Sequence, residues 1–176
     1  MKVYYAKQKF FKQSIKNSKV LNKKLLQFFD KENFVSKENN YGVSKTDWSE
    51  SNNNNREWVK LFMNEITPYL NKIHDNLNFE NVLTKCLIPD IWYQQYFKND
   101  EHTWHNHGLS NWINIYYVEL PNSICDTEFI DFQLPSNIKI KEGDLLTLPG
   151  HLIHRGPKTS AKRKTIISFN SNWVTD

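Results

Sequence analysis

In the first half of the chain apolar residues recur with a helical period of about 3.6. Within SKVLNKKLLQFFDKEN, Val20, Leu21, Leu25, Phe28 and Phe29 fall on one helical face, and Ser18 is the expected N-cap. The stripe in NREWVKLFMNEITPYLNKIHDNL is longer and comprises Trp58, Leu61, Phe62, Ile66, Tyr69, Leu70 and Ile73. Pro68 lies inside it and is expected to bend or interrupt that helix, because proline has no N–H and crowds the carbonyl four residues back. Between the two stripes, ENNYGVSKTDWSESNNNN is polar and turn-rich. It reads as a long surface loop, either a lid or a plain connector.

From Leu87 onward the pattern changes to short apolar or alternating runs. IWYQQYF (91–97), NWINIYYVEL (111–120), TEFIDFQL (127–134), NIKI (137–140), DLLTLP (144–149) and KTIISFNSNW (164–173) read as strands, several separated by Pro121, Pro135, Gly143 and Gly156. Helices followed by a run of strands predict an α+β chain whose N-terminal helices buttress one face of an antiparallel sandwich or barrel. The expected architecture is a double-stranded β-helix, the jelly roll of cupin-like proteins. At 176 residues the chain reads as a single domain, with helical support and a loop in 1–86 and the jelly-roll core in 87–176.

Composition narrows the function classes. No apolar run approaches the ~18 residues of a membrane span, and the Lys-rich start lacks the apolar stretch and cleavage site of a signal peptide. A cytoplasmic location is expected, that of a host cell if the chain is virus-encoded. Cys86 and Cys125 form no CxxC pattern, so free thiols are expected rather than a disulfide framework or thiolate zinc site. The net charge of +4 reads more simply as an exposed lysine face than as an anion-binding surface. No basic stripe interleaved with stacking aromatics stands out, which disfavours nucleic acid as a partner.

The chemistry concentrates in histidines. His105 and His107 stand two apart, so in an extended strand both imidazoles point to one face, and His154 follows DLLTLP and the Pro149-Gly150 turn. Imidazole suits iron, zinc, copper and nickel, and three ligands leave half an octahedral shell open for substrate or O₂. His102 and His151 lack this spacing and read as supporting or exposed residues, and His74 as a solvated residue on the second helix.

The stretch from about Leu87 to the end resembles the iron(II)- and 2-oxoglutarate-dependent oxygenase superfamily, particularly its phage and bacterial branch and the prolyl-hydroxylase-like enzymes. The matching pieces are WHNHG, NIYYVEL, EGDLLTLPGHLIHRG and RKTIISFN, in that order. The resemblance implies His105 as the first iron ligand and His154 as the distal one. The family pattern has Asp or Glu where this chain has His107. Either His107 is the third ligand, the reading preferred here, or a nearby acid (Asp126, Glu128 or Asp131) completes the triad with His107 behind it. A third neutral imidazole leaves the site one unit more positive than a carboxylate would, which alters its redox behaviour and metal preference.

The resemblance also implies an anchor for the 2-oxoglutarate carboxylate. By position that is Arg163, whose planar fork can engage a carboxylate through two hydrogen bonds, with Thr165 sharing its strand face. Lys164 is the rival, since adjacent strand residues face opposite ways. Tyr117 resembles the tyrosine that bonds this carboxylate in prolyl-hydroxylase-like enzymes, and Tyr96 is the matching candidate across the pocket. Trp104, Trp112 and Trp173 are candidate walls, and GVSKTDW a candidate gate.

The implied activity is that of a non-haem dioxygenase. It takes up O₂ and 2-oxoglutarate, releases succinate and CO₂, and hydroxylates a peptidyl or small-molecule substrate. Two readings compete: a three-histidine cupin-type dioxygenase that does not use 2-oxoglutarate, and a non-catalytic metal-binding jelly-roll protein. Succinate formation separates the first from the oxygenase; zinc retention without O₂ consumption marks the second.

Overall fold

The computed structural model describes residues 2, 8–32, 42–78, 81–121, 126–130, 139–159 and 163–175. Among these residues two α-helices, α1 (Ser18–Lys31) and α2 (Glu57–Leu77), accompany ten strands: β1 (Phe11–Ser14), β2 (Lys45–Thr46), β3 (Lys85–Leu87), β4 (Ile91–Tyr96), β5 (His102–His105), β6 (Trp112–Glu119), β7 (Glu128–Phe129), β8 (Asp144–Pro149), β9 (His154–Gly156) and β10 (Lys164–Val174). The pairings are antiparallel and make two sheets. The larger has the order β1-β8-β6-β10-β4-β2, with β3 on the end of β10; the smaller has the order β5-β9-β7. No helix is long and apolar enough to cross a membrane, among the described residues.

Both predicted helices form, with two local differences. The α1 N-cap is Asn17, in the left-handed region at φ 55°, and Ser18 is already helical. Helix α2 runs unbroken through Pro68. Pro68 and Asn64, whose carbonyl Pro68 cannot bond, both lie on the exposed face, so the freed acceptor faces solvent rather than the core.

The helices cover one face of the larger sheet. Leu25, Phe29, Trp58, Phe62, Ile66 and Ile73 pack onto Ile91, Tyr93, Tyr116, Ile167 and Phe169. Phe62 meets Tyr116 at 5.1 Å and Phe169 at 6.1 Å between ring centroids. Asn22 of α1 is buried because it is bonded twice: its amide donates to the Val118 carbonyl at 2.8 Å and its oxygen accepts from the Tyr116 hydroxyl at 2.6 Å.

The opposite face of the larger sheet looks toward the smaller one across a second core of Tyr96, Ile113, Ile115, Tyr117, Leu146, Leu148 and Ile166. The central strands β4, β8 and β10 are therefore buried almost throughout. Of the predicted strands, DLLTLP forms over its full length, whereas TEFIDFQL is a strand only at Glu128–Phe129 among the described residues, and 131–138 lie outside them. The polar segment before α2 is not simply a surface loop. Asp47 within it is fully buried, accepting from the Trp58 indole at 3.1 Å and the Tyr93 backbone at 2.9 Å and paired with Arg56.

Candidate metal centre

Strand pairing brings the distant histidine to the first. β5 and β9 run antiparallel with His105 opposite His154, and directly opposed residues project from the same sheet face about 5 Å apart. His107 arrives differently from the sequence expectation, because β5 ends at His105 and His107 stands in the following loop. That loop is clamped to the end of β8: the His107 N–H donates to the Gly150 carbonyl and the Gly150 N–H to Asn111, both at 2.8 Å. A Cβ on Gly150 would stand 2.0 Å from the Ser110 carbonyl oxygen, so only glycine permits this approach. One ligand nitrogen from each of His105, His107 and His154 lies within 4.8 Å of the other two.

Each imidazole is held by its Nδ1. That of His105 donates to the Thr103 carbonyl at 2.7 Å, that of His154 to the Leu152 carbonyl at 3.0 Å, and that of His107 to Asn170 Oδ1 at 2.6 Å. With Nδ1 carrying the proton, Nε2 keeps the lone pair a metal requires. Burial also favours the neutral form. It pushes the His154 pKa down to about 3, with the neighbouring His105 adding to the effect, and lowers those of His105 and His107. The donor set therefore fits one borderline metal ion such as iron(II) or zinc.

His102 stacks on His105 at 4.0 Å, and its pKa is lowered to about 3, first by burial and then by the other histidines. His151 is exposed beside Gln8, and His74 reaches the Leu83 carbonyl from α2. Of the acids considered as alternative ligands, Glu128 is held outside by Arg155 at 2.7 Å. Asp126 sits near Tyr117, Thr127 and Lys164, and Asp131 lies outside the described residues. No carboxylate joins the three histidines among the described residues.

Behind the histidines a narrow cavity of about 20 Å³ runs between the sheets, lined by Tyr96, Ile115, Thr127, Lys164, Ile166 and Ser168. Lys164 is fully buried there, its ammonium 5.0 Å from the Tyr96 ring centroid. Arg163 points the other way. Its Nε and Nη2 donate to Glu119 at 2.8 and 3.0 Å and its Nη1 to Asp30 of α1 at 2.6 Å, which ties the helix to the sheet. Thr165 follows Arg163, donating to Glu119 and accepting from Gln95. The expectation that Arg163 and Thr165 face the cavity is thus corrected: strand alternation turns Lys164 inward and both of them out.

Tyr96 lines the cavity, its hydroxyl donating to Gln94 Oε1 at 3.1 Å, and Tyr117 is buried beside it with its hydroxyl 2.7 Å from Thr127 Oγ1. Trp112 and Trp173 pack on the helix side 6.0 Å apart, and Trp104 carries Arg155 on its exposed ring, so none of the three walls the cavity. Trp92 does so instead, stacked 6.0 Å from His107. A wider cleft of about 630 Å³ opens on the other side of the histidines, bordered by Trp48, Pro89, Asp90, Asn106, Leu109 and Asn172 among others. Trp48, from the GVSKTDW segment, packs edge-on against Trp92 at 4.4 Å, which brings that segment to the rim. Sequence reasoning missed Trp92, Asp90 and Asn170; Asn170 shares the strand parity of Lys164.

At the level of sequence, no protein-family model and no curated protein matches the chain. Solved structures do match in fold. A viral collagen prolyl hydroxylase from Paramecium bursaria Chlorella virus-1, solved with 2-oxoglutarate, superposes with a TM-score of 0.65 at 16% identity, covering 94% of this chain and 96% of that one. A prolyl-4-hydroxylase from Pseudomonas putida gives 0.62 at 8% identity, covering 93% and 92%. A Trichoplax adhaerens prolyl hydroxylase, solved with a hypoxia-inducible-factor peptide, gives 0.62 at 14% identity, covering 92% and 82%. The resemblance read from the sequence is found again in the fold.

Proposed function

We propose that the chain is a non-haem iron(II)- and 2-oxoglutarate-dependent dioxygenase built on a double-stranded β-helix, with His105, His107 and His154 holding the metal. The observation that carries this reading is one axis with two ends: three neutral imidazoles with free Nε2 atoms at one, and the buried ammonium of Lys164 at the other. The likeness in fold to prolyl hydroxylases supports it. When bound, iron and 2-oxoglutarate supply the oxidising power for hydroxylation, with O₂ consumed and succinate and CO₂ released.

The chain's own residues bind, orient and exclude water. Lys164 pairs with the far carboxylate of 2-oxoglutarate, because an anion placed between apolar walls is costly unless it is matched by a charge. Tyr96 and Thr127 line that end, and Tyr117 fixes the Thr127 hydroxyl from behind. At about 20 Å³ the inner cavity holds roughly one water, so admitting the five-carbon dicarboxylate requires the smaller sheet to move outward. The outer cleft beside Trp48 and Trp92 takes the primary substrate, a peptidyl or small molecule. Its border, amide-rich and carrying the carboxylate of Asp90, does not suit a phosphate backbone.

The test is incubation with iron(II), 2-oxoglutarate and O₂, following succinate, with His154→Ala as control. Iron-dependent succinate formation that His154→Ala abolishes is expected. Oxygen consumed without succinate would instead favour the three-histidine dioxygenase. Tight zinc retention with neither would favour a non-catalytic site.

A further inference from the structure

The third imidazole has a support the other two lack. His105 and His154 donate to carbonyls of their own chain segments, two residues back, whereas His107 donates to a side chain on β10. That side chain, Asn170, is itself held twice by one residue. Its backbone N–H donates to the Asp90 carbonyl at 3.0 Å, and its Nδ2 donates to Asp90 Oδ2 at 3.3 Å. Ser51 Oγ reaches the other carboxylate oxygen at 3.5 Å.

The order of donors and acceptors along this chain permits one arrangement. A carboxylate only accepts, so the amide NH₂ of Asn170 faces Asp90 and its carbonyl faces His107. A carbonyl likewise only accepts, so His107 Nδ1 carries the proton and Nε2 the lone pair.

We propose that Asp90 and Asn170 are positioning residues that act through His107, fixing it as an Nε2 ligand and bringing behind the third coordination position, through Asn170, the negative charge its imidazole lacks. The inference rests on the metal-centre reading above. An acceptor behind a ligating imidazole fixes its orientation and raises its basicity, and loss of such a partner typically weakens metal binding about 10–100-fold. Asn170, the middle member of the chain Asp90–Asn170–His107, is buried, so the link between the outer two is shielded from water there.

The experiment is anaerobic titration of the full chain with cobalt(II), reading affinity and the visible ligand-field bands, alongside thermal unfolding of the metal-free protein. Asn170→Ala is expected to weaken cobalt binding roughly 10–100-fold and shift the bands. Asp90→Asn, which leaves Asn170 in place but removes the charge, weakens binding by less. The exchanged pair, Asp90→Asn with Asn170→Asp, restores it, because the new carboxylate accepts from His107 directly and the new amide can donate to it. That rescue distinguishes positioning of His107 from a role in folding alone. Wild-type affinity and spectrum in both single variants would overturn the proposal. His154→Ala separates the two levels of the account: wild-type binding there would overturn the metal centre itself, whereas its loss beside unaffected Asn170→Ala and Asp90→Asn would overturn only the relay.

Discussion

Along strand β10, Thr165, Ile167 and Phe169 turn toward the helices or their edge, while Lys164, Ile166, Ser168 and Asn170 turn toward the histidines. Both faces are buried, yet they follow different rules. On the helix side the buried surface is mostly apolar, and Asn22, which enters it, is bonded twice. On the cleft side a lysine, a serine and an asparagine occupy positions that an apolar residue would fill at lower cost in desolvation. A protein that places such groups inside trades stability for a task, and the cleft face is where this chain departs from the rule its helix face obeys.

The largest contrast comes from truncating the helix-side core. Phe169→Ala removes a fully buried ring packed on Phe62 and is expected to cost about 3–5 kcal/mol in denaturant unfolding, without altering which residues bind metal in the protein that remains folded. Lys164→Met, one residue parity away, is expected to do the reverse. It keeps the stem, removes the charge and should weaken 2-oxoglutarate binding by about 1.5–3 kcal/mol, roughly 10–100-fold, while iron(II) binding persists. Calorimetric titration of the iron-loaded protein reads this directly.

Gly150→Ala links stability and site. Its new methyl meets the Ser110 carbonyl, so the loop carrying His107 must shift. We expect a loss of about 1–3 kcal/mol in stability together with weaker metal binding. The smallest effect is expected from Arg163→Ala. Partly exposed and paired with Glu119 and Asp30, Arg163 should contribute no more than about 1 kcal/mol to stability, with 2-oxoglutarate affinity unchanged. If Arg163→Ala weakened 2-oxoglutarate binding more than Lys164→Met, the assignment of the two strand faces would be reversed.

That assignment marks where sequence reading stops. The 3.6-residue stripes of α1 and α2 were legible because one face of each helix meets solvent and the other the core. RKTIISFN offers no such contrast. With β10 buried on both sides, neither parity is polar throughout, and the inward choice between Arg163 and Lys164 is settled only by what packs on each face. Asn170 was hidden for the same reason, since its place beside His107 follows from the parity of Lys164. The short strands β1, β2, β3 and β9 were also missed. FKQS, KT, KCL and HRG are brief and lack the β-branched, alternating runs that mark strands, and their partners lie far along the chain. The histidines could be read because their signal is local: His105 and His107 are near neighbours, and His154 follows a strand whose apolar run is unambiguous.

The most direct test of the oxygenase account is anaerobic titration of the iron(II)-loaded protein with 2-oxoglutarate, watching for the weak visible charge-transfer band of a cosubstrate chelated to iron. The account predicts that the band appears in the wild type, is absent in His154→Ala, and needs a higher 2-oxoglutarate concentration in Lys164→Met. Iron bound at the three histidines with no band at any 2-oxoglutarate concentration would contradict it.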